Sequence, residues 1–332
     1  MHKKYNTFWF VVIIECIAIG AIALVFFVRQ QHIYQINPLS KTSIQRKQNS
    51  QFQYYYEFPS NTKNYGKATW LRNEVTYQFN ADGLHERFDY EINKELNVYR
   101  IITLGDSFTY GMWVNTKDNF SEVLEDLLNN SVLCQHIEKF EVINLGAPGF
   151  DLRYSLKRFE DKGAKYSPDL VIWFIRGENL VLDMEQYRVR EEYYKKKIDE
   201  QSINKTDNQY QASMLAYKDN MNTYENLSPE EQKEMIHSHT ASISRLSSEF
   251  HIPILILTRD EESSEDRVIM KSYASNENNI WYDEVSAVNT FHPDDYHPNE
   301  GGHRYIAVES VNFLLKNLLT TCKTNNLHEN IQ

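Results

Sequence analysis

Five apolar runs constrain this chain more than any other feature: VYRIITL from Val98, KFEVIN from Lys139, DLVIWFI from Asp169, IPILILT from Ile252 and the weaker NIWYDEV from Asn279. They are too short for buried helices and apolar enough to be strands covered on both faces. Helical patterns separate them. NFSEVLEDLLNN spaces Phe120, Val123, Leu124, Leu127 and Leu128 on one face, and a second helical stretch runs from about Asp151 to Lys165. Ser228-Pro229-Glu230-Glu231 is a capping box with proline at the first helical position, which predicts a helix to about Glu249. A last helix passes through Val311, Leu314, Leu315 and Leu318. Strands alternating with helices make an α/β fold with a parallel sheet of about five strands, helices on both faces, and ligands at the carboxyl ends of the strands.

The first three runs end in polar or glycine-bearing turns, at Gly105-Asp106-Ser107, Asn144-Leu145-Gly146 and Arg176-Gly177-Glu178-Asn179. A fourth polar cluster, HPDDYHPNEGGH from His292 to His303, follows the last strand and should reach the same edge. A serine becomes a nucleophile when a base removes its proton, the base needs an orienting acceptor, and the tetrahedral oxyanion needs fixed donors. Ser107 sits at a strand-to-helix turn. His297 is the base candidate, and Asp294, three residues before it, can reach its other ring nitrogen, with Asp295 as competitor. Asp106 is expected to accept backbone hydrogen bonds in the turn that aims Ser107. Tyr110 and Trp113 are candidates for a pocket wall or for packing. His303 is expected on the surface or at a cap of the last helix.

GDSFTYG, NLGAPG, RGEN and DDYHPN, in that order over residues 98 to 320, resemble the four blocks of the SGNH/GDSL hydrolase superfamily. The resemblance implies a three-layer α/β/α, flavodoxin-like domain with Ser107 as nucleophile, His297 as general base and Asp294, by Asp-x-x-His spacing, as its orienting partner. It further implies an oxyanion hole made by the Ser107 N–H, the Gly146 N–H and the Asn179 side chain. One departure stands in the third block, where Leu180 occupies the place of the usual acid after the asparagine. The implied reaction is acyl transfer from an ester through an acyl-enzyme, with no metal or organic cofactor.

The remaining sequence divides around that domain. Phe8 to Val28 is 21 residues with only Glu15 charged, long enough to cross a bilayer as a helix, and no small-x-small cleavage site follows its bulky end. Residues 1–29 therefore read as an uncleaved transmembrane signal anchor with the catalytic domain facing outward. Residues 30–52 read as a polar stalk, 53–97 as an extended arm or hairpin, 98–322 as the hydrolase domain with a helical insert at 181–250, and 323–332 as a tail. The insert is either a solvated excursion or a wall over the site. A net charge of −11 argues against nucleic acid as a partner. Cys16, Cys134 and Cys322 show no metal-ligand spacing, and free buried thiols are expected at the latter two.

The expected substrate is thus an O-acyl ester at the cell envelope, on a glycan or a lipid, with a short acyl group such as acetyl. Two rival functions remain. An O-acyltransferase acting on an envelope or secreted polysaccharide would use the same triad and need a separate membrane partner protein to supply acyl groups. A glycan-binding module would have no use for a base and its orienter side by side.

Overall fold

The computed structural model describes residues 45–46, 52–68, 71–201, 208–274, 279–286, 289–292 and 295–324. The apolar run 8–28 lies outside them, as does Asp294. Among the described residues no helix is long and apolar enough to cross a membrane.

The core is a five-stranded parallel sheet. Its strands are β3 (Val98–Leu104), β4 (Lys139–Asn144), β5 (Leu170–Phe174), β6 (Ile254–Arg259) and β7 (Ile280–Val285), ordered β7-β6-β5-β3-β4. Counted along the chain this is the 2-1-3-4-5 order of a flavodoxin-like sheet, with its switch point between β3 and β5. Alternate residues divide between the two faces, which is why the runs had to be apolar throughout. Ile101, Leu170, Ile172, Leu255 and Leu257 join one core with α2 (Phe120–Ser131) and α9 (Glu300–Asn317). Ile102, Val171, Trp173, Ile254 and Ile256 join the other with α3 (Leu152–Arg158), α7 (Pro229–Phe250) and α8 (Ser264–Ser272).

The capping box forms as the sequence predicts: Ser228 Oγ accepts from the Glu231 N–H, and the Glu231 carboxylate accepts from the Ser228 N–H. Its helix is not an excursion, however. A parallel β5-to-β6 connection requires a crossover element, and α7 provides it, burying Ile243 and Leu246 completely. The excursion is shorter than residues 181–250. It comprises α5 (Met184–Gln201) and α6 (Asn208–Glu225), which pack against each other.

The arm is a hairpin, β1 (Thr62–Gly66) against β2 (Val75–Phe79), and Gly83 closes the Asn-Ala-Asp-Gly turn with φ +71°. A Cβ there would meet the Phe58 carbonyl at 2.2 Å, so only glycine fits. Tyr54, Tyr55, Tyr56 and Phe58 are buried with Phe150 and Tyr154 beside the loop that follows β4.

The arm and α2 also cover the outer edge of β4. Asn129 takes both backbone groups of Phe140 at 2.9 Å, Glu125 accepts from the Val142 N–H at 2.7 Å, Tyr90 Oη donates to the Val142 carbonyl at 3.2 Å, and Glu86 accepts from the Asn144 N–H. Side chains thus stand where a sixth strand would pair.

Cys134 and Cys322 are joined as a disulfide, with Cα atoms 4.3 Å apart. The free-thiol expectation is corrected: the strand pair Val132–Leu133 with Lys323–Thr324 brings the two cysteines together.

Candidate active site

Gly105 makes the strand-to-helix elbow. Its φ is +150°, and a Cβ would fall 2.4 Å from Thr109 Oγ1 and 2.7 Å from the Phe174 carbonyl. The chain then enters α1 (Ser107–Tyr110), capped by Asp106, whose Oδ1 accepts from the Phe108 N–H at 2.9 Å. Ser107 is thereby fixed as the first helical residue at the carboxyl end of β3.

His297 arrives from the other end of the domain, on β9 (Asp295–Pro298), which pairs antiparallel with β8 (Thr290–His292). Its Nε2 lies 2.9 Å from Ser107 Oγ, and its Nδ1 lies 2.8 Å from Asp295 Oδ1. The carboxylate also accepts from the His297 N–H at 2.9 Å. An Nδ1–H donating to Asp295 leaves Nε2 to accept from the serine hydroxyl. The expected partner, Asp294, lies outside the described residues; among these, the acceptor behind His297 is Asp295. Side chains two apart on a strand share a face, so an extended Asp295–Pro298 segment puts Asp295 beside the imidazole.

The third turn, which opens α4 (Gly177–Val181), is braced from across the site. Asn179 Oδ1 accepts from the Arg176 N–H at 2.8 Å, and one hydrogen of its Nδ2 goes to Asp106 Oδ2 at 3.0 Å. Arg176 donates to the same carboxylate through Nε (3.0 Å) and Nη2 (2.5 Å) and pairs with Glu178. Glu262 accepts from the Gly177 N–H at 3.0 Å, and Tyr217 Oη donates to Glu178 at 2.9 Å. With Leu180 buried in the core, these contacts replace the acid that the block lacks. Burial pushes the Asp106 carboxyl up, but Arg176 and the bonds from Asn179 and the Phe108 N–H outweigh it and hold it below its ordinary range. Asp106 thus ties two turns together as well as capping one. The arginine lies in the quoted block, but nothing in its pattern told that it pairs with Asp106.

Gly146 is placed differently from the expectation. Its N–H already donates to Asn144 Oδ1 at 2.8 Å, and a Cβ there would sit 2.2 Å from the Tyr110 nitrogen. Close packing against α1 accounts for this glycine. Gly149, on the same loop with φ +79°, has an N–H without an acceptor among the described residues. The loop is held from outside: Arg158 Nη1 donates to the carbonyls of Leu145 (3.2 Å) and Gly146 (2.5 Å), and Tyr56 Oη donates to the Pro148 carbonyl at 2.7 Å.

Tyr110 and Trp113 are buried, and Tyr110 packs with Phe58, Tyr77 and His85 of the arm. His303 is no surface residue. It is fully buried on α9, where its Nδ1 accepts from the Phe120 N–H at 3.2 Å. Phe108 lies beside the site instead, with the Arg176 guanidinium 4.2 Å above its ring and the His297 ring 5.3 Å away.

No protein-family model and no curated protein matches the chain. Among solved structures it is similar to a protein described as lipolytic, of the G-D-S-L family, from Desulfitobacterium hafniense DCB-2, at 15% identity and TM-score 0.37, covering 64% of this chain and 98% of that one. It is similar to the acetyl xylan esterase AlAXEase at 17% identity and TM-score 0.38, with coverage of 64% and 98%. It is also similar to the psychrotrophic esterase EstA from Pseudoalteromonas sp., at 11% identity and TM-score 0.38, with coverage of 66% and 99%. At these values residue roles rest on this chain's own geometry.

Proposed function

We propose that this chain is a serine esterase of the SGNH/GDSL type, which removes a short acyl group such as acetyl from an oxygen ester. The observation that carries the reading is the unbroken line from Ser107 Oγ to His297 Nε2 at 2.9 Å and from His297 Nδ1 to Asp295 Oδ1 at 2.8 Å, at the carboxyl edge of a parallel sheet. Ser107 Oγ attacks the ester carbonyl carbon while its proton passes to His297 Nε2. The tetrahedral intermediate collapses, the carbon–oxygen bond to the alcohol breaks, and the alcohol leaves with that proton. Water then attacks the acyl-enzyme by the same route and restores the serine.

Asp295 holds the imidazole in the required tautomer and stabilises its charge in between. The oxyanion is met by the Ser107 N–H and by the second amide hydrogen of Asn179. The Gly149 N–H serves as third donor in place of the occupied Gly146 N–H. Removing one such donor ordinarily costs on the order of 10²–10³ in turnover.

The apolar run 8–28 anchors the chain in a membrane with the catalytic domain outside. The Cys134–Cys322 disulfide supports that side, because such bonds persist in oxidising compartments. Turnover of p-nitrophenyl acetate and butyrate, beside Ser107→Ala and a fluorophosphonate probe, tests the activity. Loss of both turnover and labelling in Ser107→Ala is expected. Labelling without water-driven turnover would instead favour an O-acyltransferase that passes its acyl group to a polysaccharide, and neither from a folded protein would remove both readings.

A further inference from the structure

A cavity of about 440 Å³, within the roughly 300–1,000 Å³ range of small-molecule sites, shares Arg176 and Tyr296 with the surroundings of the triad. Tyr296, set between Asp295 and His297, forms part of its rim, and Arg176, stacked over Phe108, forms its inner wall. The opposite wall comes from the excursion: Tyr217, Met221 and Tyr224 of α6 face into it, with Ile236 of α7 behind them. Helix α6 is therefore a wall of a space whose other side is Arg176, the neighbour of Asp106 and Phe108.

We infer that this cavity holds the saccharide portion of the substrate, with Tyr217 and Tyr224 as specificity-determining residues; the inference rests on the esterase reading above. The wall chemistry decides between the two halves of an ester. Arg176, Glu178, Arg259, Glu262, Glu265 and Asp266 all line the space. A long acyl chain gains about 0.8 kcal/mol per buried methylene, but seating it there would strip water from these charges without replacing its hydrogen bonds, which costs more. A sugar's hydroxyls can replace those bonds, and its C–H faces can lie on tyrosine rings.

The charges also select among sugars. Arg176 is already paired with Asp106 and Glu178, and Arg259 with Glu262 at 3.2 Å. Glu265 and Asp266 have no basic partner among the described residues, and both raise the Tyr224 pKa behind the larger effect of its burial. A uronate would be repelled, so the saccharide carries no carboxylate. The acyl group itself stays at Ser107, where only a short one is required.

The test measures acetate release from O-acetylated xylo-, manno- and chito-oligosaccharides and from an O-acetylated oligouronate, beside p-nitrophenyl acetate and decanoate. The full chain is compared with a Tyr224→Ala variant and with Met221→Trp, which fills the cavity; both leave the Tyr217–Glu178 bond that braces the third turn in place. The ratio of saccharide to p-nitrophenyl acetate kcat/KM should fall at least tenfold in both variants, chiefly through KM, with the oligouronate poorest in the unsubstituted chain. Equal losses on both substrates, preference for decanoate, or no release from any neutral saccharide while p-nitrophenyl acetate is turned over would overturn the inference. Absence of Ser107-dependent turnover on every ester would remove the esterase reading itself.

Discussion

Asp295 and His297 stand two residues apart on one strand, and the carboxylate of the first holds both the backbone N–H and the ring Nδ1 of the second. The orienting acceptor is thus built into the local strand geometry. Asp295→Asn should lower kcat by about 10³–10⁴, as expected when the imidazole loses its required tautomer. Asp294→Asn should remain within a few-fold of the unsubstituted chain. Steady-state kinetics on p-nitrophenyl acetate checks both, and the reverse order would return the role to Asp294.

The position of Asp295 also marks how far the sequence could be read. Five buried strands, their order of turns, Ser107 and His297 follow from apolar runs and polar turns, because a two-sided sheet leaves few other arrangements. The partner of His297 does not. Asp294 and Asp295 are adjacent in the sequence, and what brings Asp295 to the imidazole is an extended segment on which residues two apart share a face, a backbone feature the sequence does not announce. Gly146 was misread for a related reason: a glycine needed for close packing against Tyr110 looks the same in a sequence as one that lends its N–H to an oxyanion. The length of the excursion was hidden too, since the polar surface of α7 masks the Ile243 and Leu246 side that makes it the crossover helix.

The Cys134–Cys322 bond closes 188 residues of chain. Loop-closure entropy sets its contribution at up to about 5 kcal/mol. Urea unfolding with and without dithiothreitol should show a reduced midpoint, and Cys134→Ser/Cys322→Ser should match the reduced protein. An unchanged midpoint would mean that the thiols are not joined in solution.

Two buried histidines make the fold acid-sensitive. Burial drives the His303 pKa down to about 3, helped by His297 and His85, and burial drives that of His85 to about 4 against a bond to the Tyr110 carbonyl. Both are neutral when folded, while an unfolded chain protonates them near 6.5. Stability therefore falls as pH drops below about 6.5, by about 2 kcal/mol per histidine at pH 5. His303→Gln should flatten that slope, as read by denaturant midpoints at pH 5 and pH 7.

A buried acid acts at the other end of the scale. Burial raises the Glu125 pKa to about 7 despite bonds from the Val142 N–H and Tyr90, and Glu86 beside it is raised well above its usual range by burial and by Glu122. A carboxyl that keeps its proton longer when folded contributes most below about pH 4.5 and loses that contribution as pH climbs through 7. Glu125→Gln retains an oxygen for the Val142 N–H and carries no charge. It should be more stable than the unsubstituted chain at pH 8, and the difference should shrink by pH 5.

The side chains lined along β4 place the start of the packed domain earlier than its candidate catalytic motifs do. A fragment cut at residue 98 would keep Ser107, His297 and all five strands, but it would lose Glu86 and Tyr90 from the flank of the sheet. It would also lose the Tyr56 bond to the Pro148 carbonyl and the Glu57 partner of Arg158. Such a fragment would leave the Val142 carbonyl and the Asn144 N–H open to a neighbouring molecule, with only Phe140 and the Val142 N–H still covered by Asn129 and Glu125. The tyrosine-rich stretch at 54–56 therefore belongs to the sheet domain itself, whose packed interior reaches back at least to Tyr54.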